Sequence, residues 1–180
     1  MTAHPIDPAR VYDVQVQARR RLFDWVRPLT LAQYTRPFPF GLATLRATLI
    51  EIARTEHYLL LRLREQPIPP FDETYPITEA RQPRFPDLVA VWEPLMREVG
   101  ATLEETTDWA RPVTCDLHWP DRVVSLTATK ADITMQLLLH DVHHRAQAMA
   151  ILRQLGVPAQ NLDYIGFAQQ RRVTARSTQS

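Results

Sequence analysis

Three of the chain's six histidines, His140, His143 and His144, fall in one short stretch of a run from Leu137 to Leu155. Arranged at about 100° per residue around a helix axis, His140 and His144 share a stripe with Ile133, Leu137, Ile151 and Leu155. Two imidazoles four residues apart on a core-facing stripe bring their ring nitrogens toward one point. Neutral imidazole is a ligand for Zn, Ni, Fe(II) and related divalent metals. Two ligands make a weak site, so a third should come from a facing helix, where Glu56 and His57 stand as candidates. Three protein ligands would leave coordination positions open for water or substrate, the pattern of catalytic sites. The residue after His140 is Asp141, so the general base of an H-E-x-x-H site is missing. His143 lies about 60° off the stripe and reads as an edge residue bonding a loop or water.

The elements that must position these groups are marked by prolines, fifteen in all against four glycines. Asp7-Pro8 is a helix start, and Arg27-Pro28 a stop. The run Arg19-Arg20-Arg21 within that helix fans across its surface and reads as a solvated face. A second helix is predicted over about 41–65, with an apolar stripe that includes Glu56 and has His57 at its edge. A proline-rich connection over 67–86 is long enough to travel the length of a bundle, so the second and third helices can run parallel. The third helix is predicted over about 87–109. Alternating apolar residues over 111–128, broken by Trp119-Pro120-Asp121-Arg122, predict a short hairpin-like excursion. His118 there reads as a loop residue. The fourth helix opens at Thr129, whose partner Asp132 approximates a capping box, and stops at Gly156 and Pro158. The expected fold is all-α: four long helices, with a long crossover between the second and third. Residues 1–170 read as one domain and 171–180 as a frayed polar tail. Leu138, Val142, Ala146 and Met149 lie opposite the histidine stripe, which predicts a homodimer through that second apolar face.

Bulk properties narrow the function. Net charge is +1, which offers no nucleic-acid footprint. No apolar run is long enough for a transmembrane helix, and the N-terminus lacks the apolar segment of a signal peptide. Cys115 is the sole cysteine, which excludes an internal disulfide framework and fits a cytoplasmic location.

The run His140-Asp-Val-His143-His144-Arg145-Ala146-Gln147, followed by Leu152-Arg153-Gln154-Leu155-Gly156, resembles the signature of the DinB-like superfamily. Glu56-His57-Tyr58 resembles the segment that supplies that family's first histidine. Ala146 departs from the family's usual glycine. The resemblance implies a usually dimeric four-helix bundle of up-down-down-up topology, with a divalent metal held by His57, His140 and His144. It also points to relatives that are bacillithiol S-transferases or a mycothiol-dependent maleylpyruvate isomerase. The function expected is therefore a metal-dependent transferase using a low-molecular-weight thiol and a small-molecule substrate. Glu56 is a candidate base, Asp141 and Gln147 are candidates to orient ligands, and Arg145 is a candidate anion contact. Cys115, in the predicted hairpin, is a poor nucleophile candidate. A metal-dependent hydrolase and a non-catalytic metal-binding dimer are the alternatives.

Overall fold

The computed structural model of the protein describes residues 6–118 and 121–169. The expected tail at 171–180, the Trp119-Pro120 part of the expected turn and the His118 side chain lie outside the described residues. The described part is mostly helical. Helix α1 spans Pro8–Val26, with the Asp7 side chain accepting from the Ala9 N–H and Pro8 in the first turn. Proline costs nothing there because the first-turn N–H groups have no intrahelical acceptor. A single turn, α2, covers Leu31–Tyr34 behind a Thr30–Gln33 capping box.

Helix α3 covers Leu45–Leu63 and starts later than the sequence pattern suggests. Gly41 and Ala43 both have positive φ, 57° and 64°, which is incompatible with a helical start; Thr44 follows as the N-cap. Helix α4, Phe85–Glu105, also ends before its expected limit and contains Pro94. Pro94 is on the exposed side, where water can satisfy the carbonyl that its missing N–H leaves free. The excursion is an antiparallel hairpin of β1, Pro112–His118, and β2, Val123–Thr129, in register from Pro112↔Thr129 to His118↔Val123. Helix α5, Lys130–Gln154, begins at the Thr129–Asp132 capping box, and a short α6 covers Tyr164–Ala168.

Helix α3 packs most extensively on α5; α1 touches α5 and α4, and α3 also touches α4. Leu49, Ile52, Leu59 and Leu60 of α3 and Leu137, Ile151 and Leu152 of α5 are buried in one contiguous core with Phe23 and Trp92. Each such side chain contributes roughly 1.5–3 kcal/mol on burial. Apolar packing therefore holds the seam that carries the histidines. The proline-rich connection from Arg64 to Arg84 is anchored as well, with Tyr75 and Ile77 in the core.

Two surface expectations change. Arg19 is not part of a solvated face: it is 1% exposed, while Arg20 and Arg21 face solvent. Leu138 and Met149, assigned to a dimer face, belong to the chain's own core, whereas Val142 is exposed together with Met135 and Leu139. Among the described residues, no helix is long and apolar enough to cross a membrane.

Candidate metal centre

The i, i+4 spacing on α5 sets the His140 and His144 rings 4.4 Å apart between centroids. The third group that joins them comes from α3 and is Glu51. One ligand atom from each of Glu51, His140 and His144 lies within 4.8 Å of the others. Glu51 Oε1 is 3.8 Å from His140 Nε2. All three side chains are partly or largely buried, at the edge of the α3–α5 seam.

Their surroundings orient them. Arg54 binds Glu51 Oε2, and the Thr55 hydroxyl donates to Oε1 at 3.2 Å. Gln147 serves the histidines: its Oε1 accepts from His144 Nδ1–H at 3.0 Å, and its Nε2 donates to His143 Nε2 at 3.0 Å. In this pairing the His144 Nε2 lone pair is free for a ligand. Burial, and then the neighbouring His144, push the His140 pKa down to about 4. At neutral pH the His140–Glu51 approach is thus not an ion pair but a neutral imidazole facing a carboxylate. Two imidazoles and one carboxyl group, converging from two helices, form a donor set that fits a divalent cation.

The depressed His140 pKa has a measurable consequence for the metal-free protein. Below pH 6.5 the unfolded chain protonates this imidazole, whereas the folded chain resists until about pH 4. The unfolded state then binds more protons, so stability is lost as pH falls through that window. Urea midpoints should drop more steeply between pH 7 and pH 5 for wild type than for His140→Asn. Equal slopes would show that His140 is not held neutral.

His57, the expected third ligand, lies elsewhere. Its Nδ1 pairs with the Tyr75 hydroxyl at 2.9 Å, and its ring meets Tyr75 edge-on. It lines a separate cavity of about 330 Å³ with Leu60, Pro94 and Glu98. The reason is helical phase: Glu51 and His57 are six residues apart, about 120° around the axis of α3, so they serve different faces.

Glu56, Asp141 and Arg145 are likewise placed differently from expectation. Glu56 accepts from Arg19 Nη1, from Trp92 Nε1 and from the Tyr12 hydroxyl. Asp141 accepts from Arg19 and, through its other oxygen, from Arg145. None of these groups is more than 6% exposed. Arg19 thus ties α1 to α3 and α5 at once. Burial alone disfavours its charge, but Glu56 and Asp141 more than offset that and hold it cationic. Burial, reinforced by Glu56, pushes the Tyr12 pKa well up, so the phenol stays a donor. The crevice between this network and His140 is lined by Ile52, Leu59 and Leu137 and has no room for water. The network supports the metal centre from its dry side and does not reach into it.

Glu51 escaped the pattern because it flanks the apolar stripe of α3. The available signal was a polar edge, Thr48, Glu51 and Thr55, spaced three and four residues apart.

No curated protein matches the chain. A family model, however, covers nearly all of it: that of the DinB family matches residues 4–176, including every helix described above. The histidine pair of α5 lies within a sequence recognised over its length, and the chain belongs to the DinB family.

Proposed function

We propose that this protein is a divalent-metal-dependent transferase that activates a low-molecular-weight thiol for attack on a small electrophile. In this reading α1, α3, α4 and α5 form an up-down-down-up bundle with residues 64–84 as crossover. The protein works in the cytoplasm, as a homodimer that buries the exposed Met135, Leu139 and Val142 stripe.

The observation that carries the reading is the division of labour among carboxylates. Glu51 joins His140 and His144, while Glu56 and Asp141 are committed to Arg19. A divalent cation held by the three ligands supplies Lewis acidity, which lowers the pKa of a coordinated group. Glu51 cancels part of that cation's charge, so this donor set acidifies less than three neutral imidazoles would. A thiol, with a starting pKa near 8.5, needs much less acidification than water, at about 15.7. Hydrolysis would also benefit from a carboxylate base, and Glu56 already accepts from Tyr12, Arg19 and Trp92. Cys115 sits on β1 beside Arg62 and Pro67 and is not among the three ligands, which supports the reading in which the sulfur nucleophile comes from a cosubstrate.

The test is turnover of a generic electrophile, such as a chlorodinitrobenzene, by metal-loaded protein with a panel of small thiols. Turnover is expected to require both metal and thiol and to vanish in His140→Ala. Thiol-independent cleavage of an ester or amide would replace the reading with hydrolysis. Stoichiometric metal without any turnover would leave a metal-binding protein.

A further inference from the structure

The loop from Phe38 to Ala43 bears on the same centre through a glycine. We infer that Gly41 is a positioning residue: its missing side chain lets Gln147 hold His144 with Nε2 directed to the metal. The inference rests on the metal reading above and extends it to a loop that contributes no ligand.

Gly41 has φ +57°, and a Cβ placed on it would lie 3.2 Å from Gln147 Oε1 and 3.3 Å from Gln147 Cδ. Those atoms belong to the amide whose oxygen accepts from His144 Nδ1–H and whose nitrogen donates to His143 Nε2. A free glutamine could swing aside by a few tenths of an ångström. This one is bonded at both ends of its amide, so moving it breaks or lengthens the bond to His144. The loop cannot yield instead. The Phe38 N–H donates to the Ala43 carbonyl at 2.7 Å, the Ala43 N–H donates to the Phe40 carbonyl, and Thr44 then caps α3. Ala43 itself is held at φ 64°, a conformation that residues with a Cβ seldom adopt. Phe38 packs against the core and fixes the base of the loop. A strained, closed turn is therefore pressed on the one side chain that sets the His144 tautomer. Helix α3, which carries Glu51, starts immediately after that turn, so the loop aligns contributions from both helices.

Two glycine substitutions separate backbone strain from contact. Gly41→Ala adds the Cβ and a strained φ; Gly41→Asn adds the same Cβ in a residue that accepts positive φ more readily. Both should weaken metal binding about tenfold, within the 10–100-fold range typical of lost outer-shell partners. Affinity is read by competition with a chromophoric chelator, using Co(II) and Zn(II). In the metal-free protein, long-range ¹⁵N–¹H correlation spectra should show wild-type His144 protonated at Nδ1, with that preference lost in both variants. Metal-free thermal melts establish that each variant is folded. In a Gln147→Ala background, Gly41→Asn should cost nothing further. Wild-type affinity and tautomer in a folded Gly41→Asn variant would overturn the inference, as would losses that add fully to those of Gln147→Ala. A wild-type protein that binds no metal would sink the metal reading instead, and the tautomer spectra would still decide the role of Gly41.

Discussion

Glu51→Ala is expected to reduce divalent-metal affinity by at least about 100-fold, beyond the usual cost of losing an outer-shell partner. His57→Ala should leave affinity within about threefold. The contrast follows from placement: Glu51 shares one point with His140 and His144, whereas His57 faces Tyr75 and a different cavity. Chelator competition on the two purified variants measures it directly. Glu51→His makes the test sharper. A third imidazole at this position should keep a metal bound while shifting preference away from oxygen-seeking Mn(II) and toward Zn(II) and Ni(II). The added net charge should also acidify a coordinated group more strongly. If His57→Ala abolished binding while Glu51→Ala retained it, the ligand set would be the three histidines first expected from the sequence.

The structure does not bring His57 to the α5 pair, for a physical reason. The α5 pair was legible because both members lie on one helix, where spacing alone fixes relative direction. Thr129 and Gly156 bounded that helix from the sequence, and the structure has Thr129 as its N-cap and Leu155, just before Gly156, as its C-cap. The partner on α3 depends on which face of α3 meets α5, and periodicity gives the stripe but not the residue at its edge that reaches across. His57 and Glu51 both flank the stripe, on opposite sides. The turn at 41–44 was hidden for a different reason: Ala43 at positive φ has no compositional signature. Arg19 was misread because one arginine among three looks equivalent until a pair of buried acids, Glu56 and Asp141, is known to wait for it. Long-range electrostatic pairing of this kind leaves no local pattern.

Arg19→Met should destabilise the protein by about 3–5 kcal/mol, the range for removing one partner of a buried ion pair. Methionine retains much of the aliphatic volume, so the loss reports charge more than cavity. Glu56 and Asp141 would remain buried, with Tyr12, Trp92 and Arg145 as their only donors among those described. Arg19→Lys should rescue little, because Arg19 reaches Glu56 through Nη1 and Asp141 through Nε and Nη2 in one planar fork. Urea denaturation of the metal-free protein at pH 7 measures both variants, and a loss below about 1 kcal/mol for Arg19→Met would show that the network carries little of the stability. The effect should reach the metal centre too. Glu56 lies five residues beyond Glu51, about 7.5 Å along α3, and Asp141 directly follows His140. Arg19 therefore clamps the two ligand-bearing helices close to their ligands, from the side that water does not enter. Under conditions where Arg19→Met is still folded, its metal affinity should fall although no ligand has changed. Arg145→Met removes a cation whose acidic partner among the described residues is Asp141 alone, so it should weaken binding less. Equal losses from the two variants would mean that it is the charge on Asp141, and not the bridge between α3 and α5, that holds the ligands in place.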